Sequence, residues 1–431
     1  MSRIAIIGTG YVGLTTGACF AHIGHEVVCA DVVAEKVERL SRGEVPILEA
    51  GLPELVREGL ERGRLSFVLG AAQAARDCEF AYLCVPTPMG EDGSADLTYL
   101  REAASEIGPV LPAEAIVVNK STVPVGSTRV VEEVLGRDDV AVVSNPEFLR
   151  EGTAVSDFLN PDRIVIGADD QAAAARVTSL FQSVAAPLIV TDPATAETIK
   201  YASNAFLATK VSFVNAVANV CEAVGADVRD VVLAMGYDRR IGFEFLRPGP
   251  GWGGSCFPKD TSALIRIARD NGYAFELLRG VKAVNDEQFQ RVTEKVVRQA
   301  GGSLQGQLVA VWGLTFKART DDLRESPALE VIGRLRRLGA EVRAYDPAVP
   351  AVAPDGRPRP QLEGIEVVAD PYAACEGAAV LAVLTEWDEF RRLDFAKVGE
   401  LLDARRVVDG RNLLDPAALR RLGFSYVGVG R

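Results

Sequence analysis

Arg3-Ile4-Ala5-Ile6-Ile7-Gly8-Thr9-Gly10-Tyr11-Val12-Gly13 decides the fold. The isoleucine-rich start reads as a buried strand, and Gly-x-Gly-x-x-Gly after it opens a helix. Gly8 permits a tight turn, Gly10 lets a pyrophosphate approach the backbone, and Gly13 lets helix and strand pack closely. The helix N-terminus beginning at Tyr11 and Val12 then offers unpaired N–H groups to that pyrophosphate. The next strand, 26–30, is followed by Asp31, placed to accept hydrogen bonds from ribose hydroxyls and to repel a 2′-phosphate. A glycine turn without a ligand is the bland alternative. The strand, the helix and the acid together point to a Rossmann turn for NAD in preference to NADP.

Outward from this turn, short apolar strands alternate with amphipathic helices as far as residue 195, the βαβ pattern of a parallel sheet. Strands are expected at 4–7, 26–30, 80–85, 115–119 and 140–144. A long helix is expected from Thr195 to Val224, with Ile199, Phe206, Val211, Val214 and Val217 among its apolar positions and Gly225 as its stop. Near Leu308 the pattern begins again. Val309-Ala310-Val311-Trp312-Gly313 echoes Ile4-Ala5-Ile6-Ile7-Gly8, and 339–346 echoes 24–31. The second copy carries Leu314-Thr315-Phe316-Lys317 where the first has its glycine loop, as expected of a lobe used for another ligand. The proline-rich stretch 349–360 reads as a surface loop. The expected fold is therefore α/β, with two Rossmann-like doubly wound domains joined by a long central helix. The expected division is 1–195 for NAD, 196–300 for a central helical and dimerisation region carrying a cysteine loop, and 301–431 for a second ligand-binding lobe.

The chain has 431 residues, enough for two or three cores, and its 25% charged content is that of a water-soluble protein. No apolar run approaches membrane-spanning length and no leader pattern precedes the first strand, so a cytoplasmic, membrane-free protein is expected. The net charge of −12 argues against nucleic acid as a partner. Seven scattered cysteines without a CxxC pair argue against a disulfide framework or a structural metal site. The two histidines, His22 and His25, lie before the second strand and read as turn residues, leaving carboxylate, lysine and thiolate for the chemistry.

Gly253-Gly254-Ser255-Cys256-Phe257-Pro258-Lys259-Asp260 places one cysteine after glycines and before a helix that stops at Asn271-Gly272. The helix dipole and the neighbouring Lys259 favour a thiolate at Cys256. The alternative is a cysteine packed as a small hydrophobe. Three polar pairs recur at i, i+4: Glu147 with Glu151, Lys200 with Asn204, and Cys256 with Asp260. On a helix that spacing puts both members on one face. Lys200 and Asn204 read either as a salt-bridged helix edge or as donors to a developing oxyanion. Glu147 follows Ser144-Asn145-Pro146 at a strand end, where open α/β sheets place function.

Taken together these residues resemble the nucleotide-sugar dehydrogenase family, which comprises UDP-glucose and GDP-mannose dehydrogenases. The likeness covers nearly the whole chain. Beyond the glycine turn it includes Cys84-Val85-Pro86-Thr87-Pro88, Lys120-Ser121-Thr122-Val123-Pro124 and Asn145-Pro146-Glu147-Phe148-Leu149-Arg150-Glu151-Gly152. It continues through Lys200-Tyr201-Ala202-Ser203-Asn204, residues 249–260, Gly313-Leu314-Thr315-Phe316-Lys317, Arg324-Glu325-Ser326 and Asp409-Gly410-Arg411-Asn412. The resemblance implies a four-electron oxidation of UDP-glucose to UDP-glucuronate with two NAD per sugar, through a thiohemiacetal and a thioester on Cys256. It implies that Lys200 and Asn204 steady the C6 oxygen, and that Asp260, Glu147 and Thr122 handle protons and the hydrolytic water. Asp31, Lys36, Thr87, Ser121, Thr122, Glu151, Lys259 and Arg324 would join the glycine turn in contacting NAD. For the UDP-sugar it implies Glu147, Phe148, Leu149, Arg150 and Glu151, with Lys200 and Asn204. Phe245, Leu246, Arg247, Gly253, Phe316, Lys317 and Arg411 would complete that set, with Arg240 arriving from the partner in a homodimer. The loop 243–252, with Glu244, Arg247, Pro248 and Pro250, departs locally from the family pattern. GDP-mannose and a UDP-N-acetylhexosamine therefore stay as alternative substrates. A non-catalytic NAD-binding regulator and a hydroxy-acid dehydrogenase are the readings from other classes.

Overall fold

The computed structural model describes residues 1–90, 95–350, 352 and 359–431. Most of the expected loop 349–360 lies outside the described residues. The chain forms two compact units. One comprises residues 1–203 and 262–272, the other residues 204–261 and 273–431.

The first unit is built on an eight-stranded sheet. Its strands are β1 (Arg3–Ile7), β2 (Glu26–Asp31), β3 (Leu65–Leu69), β4 (Phe80–Leu83), β5 (Ile116–Asn119), β6 (Ala141–Ser144), β7 (Ile164–Gly167) and β8 (Leu188–Thr191). They lie in the order β3-β2-β1-β4-β5-β6-β7-β8. Every neighbouring pair is parallel except β6–β7, which is antiparallel. Strands of this kind are buried on both faces, which is why their cores read as continuous Ile/Val/Ala runs instead of alternating patterns. Ile4, Ile6 and Val118 face one apolar cluster, and Ala5, Ile7 and Val117 face the other. All five strands expected from the sequence form. β3, β7 and β8 were not anticipated from the sequence.

The second unit carries a six-stranded, wholly parallel sheet made of β9 (Leu308–Trp312), β10 (Glu341–Tyr345), β11 (Glu366–Val367), β12 (Val380–Val383), β13 (Arg406–Asp409) and β14 (Ser425–Val427). Its order, β11-β10-β9-β12-β13-β14, repeats that of the first six strands of the other sheet. The echo seen in the sequence is thus a repeat of topology, and it extends to the first turn. Gly8 and Gly313 both have positive φ, 98° and 96°, and each donates its amide at 2.8 Å to the carbonyl one residue before the acid, Ala30 or Tyr345. The acid itself has diverged. Asp346 is buried and accepts from the amides of Leu314 and Thr315, from the Thr315 hydroxyl and from the Trp387 indole at 3.2 Å. Asp346 is 3% exposed with the Trp387 indole against it, whereas Asp31 is only partly buried.

The central helix runs Pro193–Val224, starting two residues earlier than expected. Asp192 caps it, accepting from the Thr195 amide at 2.9 Å and the Thr195 hydroxyl at 2.6 Å, and Pro193 suits its first turn. Gly225, with φ 75°, ends it. Among the described residues no helix is long and apolar enough to cross a membrane.

Candidate active site

In the first unit, the functional candidates gather at the carboxyl ends of β1, β2, β4, β5 and β6, the edge where open α/β sheets bind ligands. The glycine turn comes first. A Cβ on Gly8 would meet the Cys84 carbonyl at 2.6 Å, and one on Gly13 would collide with the Gly8 carbonyl, so neither position tolerates a side chain. Gly10 is different. A Cβ there meets nothing within 4 Å, leaving the open cradle a pyrophosphate needs. The helix Tyr11–His22 begins at this point without a side-chain cap, and its first amides remain available to an anion. Asp31 accepts from the Thr9 amide and hydroxyl, the Val33 amide and the Lys36 ammonium, the last at 2.8 Å. Burial works against its charge, but Lys36 and Thr9 prevail and hold its carboxyl at about 2. It is an anion at neutral pH, which suits ribose hydroxyls and disfavours a 2′-phosphate. The residues fit NAD.

Beside this turn stands a second group. The Thr87 hydroxyl donates to the Thr122 carbonyl at 2.8 Å, and the Ser121 hydroxyl donates to the Val85 carbonyl at 2.7 Å, pinning the segments after β4 and β5 together. Glu147 is buried and forms an ion pair with Lys200 at 2.8 Å, accepts from the Leu149 amide at 2.8 Å, and meets the Thr122 hydroxyl at 3.5 Å. Burial alone would push its carboxyl up, but the Lys200 ammonium and the Leu149 amide outweigh burial and keep it below its ordinary value. Phe148 lies under the Arg163 guanidinium at 3.6 Å, with the Lys200 ammonium 5.4 Å from its ring. Arg150 is engaged with Asp157 at 2.5 Å. Glu147 and Glu151 do not share a helix face. Residues 145–150 have no helical structure, because Pro146 lacks the N–H and the chain turns to bring the Leu149 amide onto Glu147.

Two residues here, quoted within motifs, had no role assigned from the sequence. Lys120, after β5, is buried and donates to Asn145 Oδ1 at 3.1 Å, while Asn145 Nδ2 donates to the Val165 carbonyl. Burial lowers Lys120 to about 8, with the nearby Lys200 adding to the effect and Cys84 and Glu147 opposing it. The available signal was the motif Lys120-Ser121-Thr122-Val123-Pro124, which directly follows the buried strand β5.

In the second unit, Cys256 immediately precedes the helix Phe257–Asp270. It is partly exposed, whereas the other six cysteines are buried. Burial pushes the thiols of Cys19, Cys78, Cys84 and Cys375 up to about 12. The Asp260 amide donates to the Cys256 carbonyl at 2.9 Å, so these two residues bracket one helical turn. Asp260 is fully buried and accepts from Asn204 Nδ2 at 2.6 Å and from the Lys259 ammonium at 2.5 Å. Lys200 and Asn204 lie one turn apart on the central helix, and each is held by a buried carboxylate.

The loop before the cysteine is built rigidly. A Cβ on Gly253 would collide with the Glu325 carbonyl, and Gly254, with φ 81°, lies against the Phe316 ring. Asn285 grips Trp252 with two bonds, accepting from its amide at 2.8 Å and donating to its carbonyl at 3.0 Å. Ser212 accepts from the Trp252 indole, Asn215 accepts from the Gly249 amide, and Gln288 donates to the Gly249 carbonyl. These four polar residues on two helices were missed, since isolated polar positions on helices usually face water. The Arg411 guanidinium donates to the carbonyls of Leu384 and Phe316 and lies against Gly249, so it adjoins this loop. Lys317 is near the Phe316 ring at 5.5 Å. Phe245 takes a positive φ of 63° with its ring 6.1 Å from that of Phe257, and Leu246 is buried. Arg247 and Arg240 are exposed, the latter paired with Asp238 at 2.6 Å, and Arg324 pairs with Asp322 at 2.6 Å.

Three family models cover most of the chain. The UDP-glucose/GDP-mannose dehydrogenase family matches with its NAD binding domain at residues 2–185, its central domain at 194–287 and its UDP binding domain at 310–416. The chain belongs to this family. A UDP-glucose 6-dehydrogenase of Bacillus subtilis is 46% identical over 100% of this chain and 94% of its own length. One of Rhizobium meliloti is 45% identical over 100% and 99%. Among solved structures, a UDP-glucose dehydrogenase from the hyperthermophilic archaeon Pyrobaculum islandicum superposes with a TM-score of 0.88 at 38% identity, covering 100% of this chain and 98% of that one. A UDP-D-ManNAc dehydrogenase from Pyrococcus horikoshii gives 0.87 at 27% identity, covering 100% and 99%. As a member of the UDP-glucose/GDP-mannose dehydrogenase family the chain is an NAD-dependent oxidoreductase, and the glycine turn lies within the matched NAD binding domain.

Proposed function

We propose that this protein oxidises the C6 alcohol of UDP-glucose to the carboxylate of UDP-glucuronate, with Cys256 as covalent catalyst. The observation that carries the reading is the position of Cys256, partly exposed at the head of a helix while the other six cysteines are buried. Identities of 45–46% to UDP-glucose 6-dehydrogenases support glucose over the sister sugars. The glycine turn and Asp31 would hold NAD, which would supply the hydride acceptor for each of the two oxidations, one NAD per step. In the first, the C6 hydroxyl loses its proton and C6 its hydride, giving an aldehyde whose oxygen Lys200 and Asn204 steady. The Cys256 thiolate then adds to the aldehyde carbon, and the hemithioacetal loses a hydride to become a thioester. Water attacks that carbonyl, the C–S bond breaks, and the thiolate is restored. Glu147 is ionised and buried, so it is suited to take a proton from this water, with Thr122 orienting it. Asp260 holds Asn204 and Lys259 in place.

For the substrate, Arg411, Lys317 and Phe316 would take the nucleotide, since planar guanidinium groups grip phosphate oxygens with paired hydrogen bonds. Phe245, Leu246, Arg247 and Gly253 belong to the loop that would meet the sugar, with residues 147–151 contributing from the first unit. Lys36, Thr87, Ser121, Glu151, Lys259 and Arg324 are assigned to the dinucleotide. The division into residues 1–195, 196–300 and 301–431 is proposed as a functional one: dinucleotide, cysteine loop and nucleotide-sugar. We propose a homodimer as well. Phe206, Phe213 and Val220, at seven-residue intervals along the central helix, are 65%, 53% and 60% exposed, an apolar stripe suited to a second copy. An absorbance assay tests the reaction: UDP-glucose should yield two NADH per sugar, and GDP-mannose should react far more slowly. One NADH per sugar with free aldehyde as product would overturn it.

A further inference from the structure

One buried acid of the first unit has no part in this chemistry. Glu49 lies in the turn before the helix Leu52–Glu61 and is 4% exposed. Its Oε2 accepts from the Gly152 amide at 2.6 Å and, in a short bond, from the Tyr11 hydroxyl. The same Gly152 amide also donates to the Tyr11 oxygen at 2.8 Å. Both partners matter for where they lie. Tyr11 is the first residue of the helix that opens the dinucleotide turn, and Gly152 closes the loop that begins at Asn145 and carries Glu147 and Glu151. These two points are 141 residues apart in sequence, and one carboxylate joins them. Its other oxygen, Oε1, is buried and has no hydrogen-bond partner among the described residues. Such an arrangement is costly, since a buried carboxylate is stable only when well paired. A side chain kept merely to fill space would be apolar here.

We propose that Glu49 is a positioning residue that bolts the Asn145–Gly152 loop to the dinucleotide turn. The proposal rests on the reading of Glu147 as the proton acceptor. With the bolt in place, the start of the Tyr11 helix and the base of the Glu147 loop move as one piece, so cofactor binding and orientation of Glu147 depend on the same bonds. Charge-assisted bonds to backbone N–H groups are the stronger kind, which is what a mechanical link between loops requires.

The test compares wild type with Glu49→Ala, Glu49→Gln and Tyr11→Phe, each first checked for a cooperative thermal transition. NAD affinity is measured by calorimetry without sugar, and amide hydrogen exchange is followed in the peptide spanning Arg150–Gly152. In Glu49→Ala the NAD dissociation constant should rise and turnover should fall, each about tenfold, as expected for losing a hydrogen bond to a charged group. The KM for UDP-glucose should stay within about twofold, and the Arg150–Gly152 amides should exchange faster. Glu49→Gln retains an acceptor oxygen without the charge and should recover part of the loss. If Glu49→Ala does not fold, Tyr11→Phe carries the same test, with faster exchange at Gly152 expected. Wild-type NAD affinity and unchanged exchange in a folded variant would overturn the proposal, as would equal losses for NAD and UDP-glucose without rescue by glutamine. A wild-type protein inert toward UDP-glucose would overturn the functional reading instead, leaving the affinity and exchange results to decide the role of Glu49.

Discussion

Cys256 and Glu147 show how the same residue types take opposite roles according to their surroundings. A thiol in the sheet core, such as Cys84, is pushed up to about 12 by burial and stays protonated. Cys256 is partly exposed at a helix start, the setting that the proposed attack requires. Cys256→Ala should abolish formation of the sugar acid, while NAD binding and the thermal transition are retained. Chromatography of the product together with calorimetry checks both halves, and sugar acid from the variant would exclude the covalent route. Glu147 illustrates linkage to pH. Its carboxyl is held below its ordinary value, so its pair with Lys200 contributes stability that is fully present above the unfolded carboxylate value of about 4.3 and is lost as pH falls through the lower folded value. Melting temperature should therefore fall on acidification below about pH 5, and less steeply in Glu147→Gln than in wild type. Equal acid slopes would mean that other groups control the transition.

Among the elements, the loop ahead of Cys256 is the most constrained by backbone contact. Gly253 faces the Glu325 carbonyl, which cannot rotate away as a side chain would. Gly253→Ala should cost about 1–3 kcal/mol, the usual range for overpacking, and should displace the cysteine it precedes. Gly280 is the matched control. It lies inside the helix Glu276–Gln299, where an added Cβ meets nothing within 4 Å. Gly280→Ala should stabilise by about 0.5–1 kcal/mol through helix propensity. Denaturant titrations of the two variants should shift in opposite directions, and a shared direction would refute the packing argument. Much of this element was legible beforehand. Pro258 and Asn271-Gly272 bracket the helix in the sequence, and it forms as Phe257–Asp270. What could not be seen was the support beneath it from Asn215, Asn285 and Gln288. They are distant in sequence, and their polar side chains become structural only when the two helices that carry them place them against the loop.

For the molecule as a whole, assembly carries the strongest prediction. If Arg240 serves the partner's site, a mixture of Arg240→Ala and Cys256→Ala proteins should regain activity, because each hybrid dimer has one site with both residues intact. Arg240 is well suited to such a role, with its side chain 88% exposed and paired with Asp238 two residues away. Full exchange of subunits, shown by mass spectrometry of differently tagged chains, without recovered turnover would place Arg240 in its own subunit's site or in none.

The sequence by itself determined the strand–turn–helix at Gly8–Gly13 and the recurrence of that unit after Leu308, and it singled out Cys256 as the proposed nucleophile. These are local properties, set by hydrophobic period, by glycines that admit a tight turn, and by a few neighbours along the chain. Its i, i+4 spacing also offered Glu147 and Glu151 as partners on one helix face, and there the local signal failed. Residues 145–150 are not helical, and the Glu147 carboxylate turns instead toward Lys200, which is far away in sequence. Only tertiary structure decided that each of the two central-helix donors has its own buried carboxylate: Lys200 on Glu147, and Asn204 on Asp260. It alone revealed the buried Lys120 and the Glu49 link, and showed that Asp346 is satisfied within its own lobe. The reason is physical. Whether a polar side chain meets water or a partner depends on which distant segment packs over it, and burial sets both its charge state and the cost of leaving it unpaired.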